Sequence, residues 1–377
     1  MALSKFSFPT AITFGPGARR QVAAHLGERG LKRPLVVTDK GLAALAILAD
    51  FVASLEGLDA AVYSGVHGNP VKRQVEDGVA AFHGHHADAV IGFGGGAALD
   101  VAKAVALMAV HEGDVLEYAW DHPRVRPVAN ALPYWVALPT TSGTGSEVGR
   151  SSVISDDATH VKKVVFNPAL LARAVFADPE LTLDLPPAVT AATGMDALTH
   201  NVESYLSPDY HPLCDGIALE GARIAAHALE AAVSQPRNLA ARSDMMMASL
   251  MGAIAFQKDL GAVHSCAHAL GTVVDMHHGL ANGIMIDHVM RFNADAAGVK
   301  MGELARVCGA GASAADFIRW LEGLKQRIGI PARLGARGVA ASHIGRLVEI
   351  AVADTCHRTN PKPVTAADFE RLFRAAL

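Results

Sequence analysis

Between residues 35 and 176 the chain alternates short β-branched runs with stretches whose apolar positions recur at helical spacing. The runs at 35–38, 60–63, 89–93, 134–138 and 174–176 read as buried strands, and the stretches at 17–28, 42–55, 71–83 and 97–110 as crossover helices. That alternation is the pattern of βαβ units around a parallel sheet. After Pro186 and Pro187 the strand signal stops. Ala, Leu, Met and Glu then run at helical period, with punctuation near Pro208, Pro236, Gly279 and Pro331. Tandem prolines suit a first helical turn, where a missing N–H does no harm. The expected fold class is therefore an α/β domain with a parallel sheet over residues 1–185, followed by an all-α domain over 186–377.

Composition narrows the partners. Of 377 residues 51% are apolar and 19% charged, enough for sizeable cores and against a disordered chain. Lys and Arg total 33 against 37 acidic residues, so the net charge of -4 offers no general attraction to nucleic acid or anionic lipid. The longest apolar stretch, 245–256, falls short of the ~20 residues that span a bilayer. Lys5 is followed by Ser7, Pro9 and Thr10 and not by an apolar leader, so a cytoplasmic location is expected. Cys214, Cys266, Cys308 and Cys356 form no CxxC pair, which points to reduced, mostly buried thiols.

Two loops leave predicted strand ends. Gly92-Phe93-Gly94-Gly95-Gly96-Ala97 follows an apolar run and opens a helix, placing free backbone N–H groups where a diphosphate can sit. The spacing of Gly92, Gly94 and Ala97 fits a dinucleotide fingerprint, although the loop follows the third predicted strand; a tight turn needing glycine accounts for it equally well. Pro139 to Glu147 carries five hydroxyls and two glycines. Asp39, at another strand end, is placed to accept from ribose hydroxyls and to repel a 2′-phosphate, or else to cap the next helix.

The histidines suggest a metal. Asp196 and His200 stand four apart on one helix face; His264 and His268 repeat the spacing, and His277-His278 follows. Imidazoles with one carboxylate suit borderline divalent ions such as Fe(II) and Zn(II). For His264 and His278 to share an ion the chain must turn back between them, and Gly271 and Gly279 offer places for it.

Across essentially its whole length the sequence resembles the iron-containing (type III) alcohol dehydrogenases. The motifs that carry the likeness are Thr38 to Gly41, the glycine loop through Asp100 and Lys103, Pro139 to Val148, Asp178 to Leu181, Gly194 to His200, and Phe256 to Gly279. The resemblance implies that Asp196, His200, His264 and His278 hold the metal. It also implies that Asp39, Asn69, Gly95, Gly96, Asp100, Thr140, Thr141, Lys162 and Leu181 line the dinucleotide site. His268 is left beside the metal without binding it. It further implies the dehydroquinate synthase-like architecture, with the active site in the cleft between a nucleotide domain and a helical domain, and a homodimer. Ala97 stands where serine is usual, Asp259 where glycine is, Ala269 where proline is frequent, and Asp287 where proline is common. Maleylacetate reductase, a relative, lacks this ligand set.

The expected activity is reversible oxidation of an alcohol to an aldehyde or ketone with NAD, Fe(II) or Zn(II) acting as Lewis acid and His268 starting a proton relay. The alternatives are a lyase of the dehydroquinate synthase type and a non-catalytic NAD-binding module with a structural metal. Lys258, six residues before His264, carries a separate expectation: its ammonium pairs with a substrate carboxylate or phosphonate, or else with Asp259 or solvent.

Overall fold

Apolar runs with few polar interruptions become the central strands. The computed structural model describes residues 6, 7, 10–159 and 161–377; the N-terminal stretch read for a leader lies largely outside the described residues. The strands are β1 (Ala11–Phe14), β2 (Pro34–Asp39), β3 (Ala61–Val66), β4 (Ala89–Gly94), β5 (Tyr134–Pro139), β6 (Ser151–Ser155), β7 (Lys162–Phe166) and β8 (Ala174–Ala177). Six of them form one parallel sheet in the order β1-β8-β5-β4-β2-β3. β2 and β4 are neighbours although β3 lies between them in sequence, so the strand order reverses there. The C-terminal ends at such a reversal form the crevice where open α/β sheets bind ligands.

The helices of this region are α1 (Val22–Gly27), α2 (Lys40–Ala43), α3 (Ala46–Ala53), α4 (Lys72–Gly84) and α5 (Gly96–Met108). Three features depart from the sequence reading. The helix expected over 42–55 is broken into α2 and α3 because Leu45 is extended between them. β1 was not legible: it has four residues and no fully buried position. β6 and β7, also unread, make a separate antiparallel hairpin whose short strands hide only part of their side chains.

The C-terminal half is helical: α6 (Pro187–Leu206), α7 (Pro212–Ser234), α8 (Leu239–Ala255), α9 (Ala262–Val274), α10 (His278–Val307), α11 (Ala314–Arg327), α12 (Ile344–Ala353) and α13 (Ala366–Ala376). Every residue of α6 from Thr190 to Leu206 is buried, so α6 is the axis of this core. The chain divides into two compact units, one of Phe8–Thr141 and Gly145–Thr182, the other of Met1–Ser7, Ser142–Thr144 and Leu183–Leu377. Among the described residues no helix is long and apolar enough to cross a membrane. Cys214, Cys266 and Cys308 are buried, Cys356 partly so, and all four are free thiols.

Candidate active site

Helical period puts Asp196, His200 and Glu203 of α6 on one face. His264 comes from α9, and His278 is the first residue of α10. The turn joining these helices is made not by a glycine but by Asp275, whose φ of 49° closes α9 in the left-handed conformation. Gly271 stays inside α9. Gly279 serves packing instead. A Cβ there would stand 2.2 Å from the Ala192 carbonyl oxygen, so its bare backbone lets α10 start against α6 and brings His278 to Asp196.

The four side chains converge. Asp196 Oδ1 lies 3.4 Å from His278 Nε2, 3.8 Å from His264 Nε2 and 3.9 Å from His200 Nε2. Donors held ~2.1 Å from a common tetrahedral centre stand about 3.4 Å apart, so the spacing fits a divalent ion with little adjustment. His200 and His264 stack with ring centroids 4.7 Å apart. Burial lowers the pKa of His200 and, reinforced by His200, His278 and His268, pushes that of His264 well down. Neutral imidazole is the form that donates a lone pair, and the donor set fits a borderline metal.

Two further residues complete the cluster, and sequence reasoning missed both. Glu203 Oε2 is hydrogen-bonded to His264 Nδ1 at 2.6 Å and Oε1 accepts from the Val263 N–H at 2.7 Å, which fixes His264 with Nε2 toward Asp196. Burial pushes the Glu203 carboxyl up to about 8. Asn282, fully buried, donates through Nδ2 to Asp196 Oδ1 at 2.8 Å, and its Oδ1 meets no donor among the described residues. A signal existed for each, since Glu203 follows His200 by three residues and Asn282 follows His278 by four. His268 stands beside this group, stacked on His278 at 5.3 Å and bonded through Nδ1 to Asp354 at 2.7 Å.

In the α/β unit, β4 and β5 end in register, Gly94 opposite Pro139, so both loops start at one level; the Thr140 N–H donates to the Gly94 carbonyl at 3.0 Å. Gly94 has φ of 154°, and a Cβ on it would stand 2.6 Å from that of Ala98, so only glycine allows α5 to begin this tightly. A cavity of about 290 Å³ opens at the strand ends, lined by Asp39, Gly41, His67, Gly95, Ala97 and neighbours. Asp39 both lines this cavity and caps α2, accepting from the Leu42 N–H at 2.9 Å. Gly96 is the first residue of α5, and Thr141 lies against Gly95.

Asp100, Leu181, Lys162 and Asn69 are not among the residues that line this cavity. Asp100 has both oxygens engaged inside the protein, Oδ1 by the Ser146 hydroxyl at 2.6 Å and by Lys103 Nζ at 3.5 Å, Oδ2 by the Val153 N–H at 3.0 Å. It ties the glycine-loop helix to the second loop and the hairpin. Leu181 is buried in the apolar core of this unit. Lys162 begins β7, and Asn69 lies between β3 and α4.

Lys258 pairs with none of its expected partners. Its side chain is fully buried, and Nζ is 2.5 Å from Asp215 Oδ1, with Lys300 on the other oxygen at 3.3 Å. An ammonium so engaged is not available to a substrate carboxylate. Lys258→Met is therefore expected to lower the thermal midpoint while leaving unchanged the ratio of kcat/KM for a short alcohol and its ω-carboxylate analogue; a selective loss for the acid would restore the substrate role.

Asp259 sits at φ 66°, ψ -178°, a region that essentially only glycine occupies, at the position where the resembled family has glycine. Asp259→Gly should release about 1–3 kcal/mol of backbone strain, read as a raised thermal midpoint. An unchanged or lowered midpoint would mean that the aspartate compensates fully. Asp287, in place of the usual proline, lies inside α10 and is paired with Lys325 and with Arg291.

Comparison with known proteins bears on what this arrangement does. Residues 9–179 match the model for iron-containing alcohol dehydrogenase, and residues 190–377 match the C-terminal model of the Fe-containing alcohol dehydrogenase family. The chain belongs to the iron-containing alcohol dehydrogenase family. As a member it is an oxidoreductase acting on alcohols. It is 37% identical over 359 residues to a 4-hydroxybutyrate dehydrogenase of Cupriavidus necator, covering 92% of this chain and 93% of the relative. It is 38% identical over 380 residues to a 1,3-propanediol dehydrogenase of Citrobacter freundii, covering 98% and 97%. The crystal structure of a sulfoacetaldehyde reductase from Bifidobacterium kashiwanohense in complex with NAD+ superposes with a TM-score of 0.90 at 28% identity, covering 100% and 99% of the two chains. The two-unit architecture is that of the family.

Proposed function

We propose that this chain reversibly oxidises a small alcohol to its aldehyde with NAD, using a divalent metal held by Asp196, His200, His264 and His278, with Fe(II) the first choice and Zn(II) the second. The observation that carries this reading is the convergence of four donors, one carboxylate and three imidazoles, whose ligand atoms all lie within 4.8 Å of one another. When bound, the metal supplies Lewis-acid polarisation of the substrate oxygen and the nicotinamide exchanges the hydride. The protein's own groups do the rest. Glu203 and Asn282 orient the ligands. His268, 30% exposed at its side chain, takes the alcohol proton toward water. Asp39, Gly95, Gly96 and Ala97 receive the nucleotide at the strand ends, with Thr140 and Thr141 alongside.

The named relatives act on 4-hydroxybutyrate and on 1,3-propanediol, so short primary alcohols with a second polar end are the class to try first. The resemblance also supports a cytoplasmic homodimer, to be checked by light scattering. The test is a panel of 1-propanol, 1,3-propanediol and 4-hydroxybutyrate on protein loaded anaerobically with Fe(II) or Zn(II), followed at the reduced-nicotinamide band. NADH formation with one or more of them is expected. Absence of NADH with all three, in both metal forms, would favour the lyase or the binding module.

A further inference from the structure

Helix α9 presents two imidazoles one turn apart, and each has its Nδ1 bonded to a carboxylate from another element. For His264 the carboxylate is Glu203 of α6, at 2.6 Å. For His268 it is Asp354, the residue that follows α12, at 2.7 Å. The first pair orients a proposed metal ligand; the second has no counterpart in the function described so far.

Asp354 is itself firmly held. Its Oδ1 accepts from the Ser265 hydroxyl at 2.6 Å and from the Cys356 N–H at 2.9 Å, and Ser265 Oγ in turn accepts from the His357 N–H at 2.9 Å. Burial opposes the charge of Asp354, but His268, Ser265 and the Cys356 N–H outweigh it and hold the carboxyl well below the usual carboxylate range. An ionised carboxylate only accepts, so the imidazole nitrogen facing Oδ2 must donate. In its neutral form His268 then has its proton on Nδ1 and its lone pair on Nε2, while its ring stays stacked on His278 with an interplanar angle of 20°.

We propose that Asp354 is a positioning residue that holds His268 in the Nδ1–H tautomer, so that Nε2 receives the proton released when the alcohol is oxidised. This rests on the reading of His268 as proton acceptor. The balance is simple: the carbinol C–H leaves as hydride to NAD+, the O–H proton passes to Nε2, and from the imidazolium to water.

Asp354→Asn tests the idea because the backbone fixes which way the amide turns. The Cys356 N–H can only donate, so the amide oxygen must face it, which leaves the NH2 facing His268 Nδ1. That nitrogen is then forced to accept, and the proton moves to Nε2. Loss of a general base lowers rates by about 10²–10⁴-fold, so the kcat for alcohol oxidation should fall by at least ~100-fold while metal content, KM for NAD and thermal midpoint are kept. In the double variant with His268→Ala, Asp354→Asn should cost nothing further, since there is no ring left to orient.

A readout independent of turnover is the ¹⁵N spectrum of histidine-labelled, zinc-loaded protein, in which the wild type should show His268 as Nδ1–H and Asp354→Asn as Nε2–H. Nε2–H in the wild type would overturn the proposal even if the variant did not fold, as would losses that add in the double variant. If His268→Ala is slow while Asp354→Asn matches wild type, the positioning role fails and the proton-acceptor reading stands. If His268→Ala keeps full kcat, that reading fails as well.

Discussion

Replacing His264 by Ala is expected to remove the bound metal and alcohol-dependent NADH formation together while the chain stays folded. His264 supplies Nε2 to the four-donor group and is buried between the rings of His200 and His278. Its loss takes away one of the ion's four protein donors and leaves a ring-sized void beside the other three. Outer partners of metal ligands tune affinity by about 10–100-fold, so Glu203→Gln should fall in that range and His264→Ala well beyond it. Metal content per chain after dialysis, read beside the rate, checks both. Full metal and full turnover in His264→Ala would show that the ion is held elsewhere.

The second large effect concerns the nucleotide. Asp39 puts a carboxylate on the wall of the cavity at the strand-order reversal, with Lys40 as its basic neighbour. A 2′-phosphate there meets like charge, a juxtaposition that costs several kcal/mol, and each ~1.4 kcal/mol is tenfold in affinity. The wild type should therefore favour NAD over NADP, and Asp39→Gly should raise the NADP-to-NAD ratio of kcat/KM by about 100-fold. The same side chain caps α2, but exchanging an aspartate cap for glycine costs only a few tenths of a kcal/mol, so stability should hardly move. A wild type that uses NADP as well as NAD would contradict the assignment.

These sites differ in how far they could be read before the structure. The i, i+4 pair of Asp196 and His200 is local, so half of the metal group follows from periodicity alone. Bringing His264 and His278 to it required a turn that the sequence places wrongly, because Asp275 adopts a left-handed conformation that glycine usually takes. Once the helices are drawn, Glu203 and Asn282 fall on the same faces as the ligands and were within reach. Asp354 was not, since 86 residues separate it from His268 and no local pattern joins them. For Asp100 the glycine loop suggests a ligand contact, while its bonds to a loop and a hairpin distant in the chain leave no local signal. The short strands β1, β6 and β7 left no readable alternation. Lys258 shows the same limit for charge, its partner Asp215 lying 43 residues away on a different helix.

Alcohol oxidation by this chain should require one metal ion on the Asp196, His200, His264 and His278 group. The most direct test is an anaerobic titration of the metal-free chain with Fe(II), following the rate of NADH formation from 1,3-propanediol. The rate should rise linearly from near zero and break at one equivalent per chain. Full turnover without added metal, on protein shown by elemental analysis to hold none, would contradict that requirement.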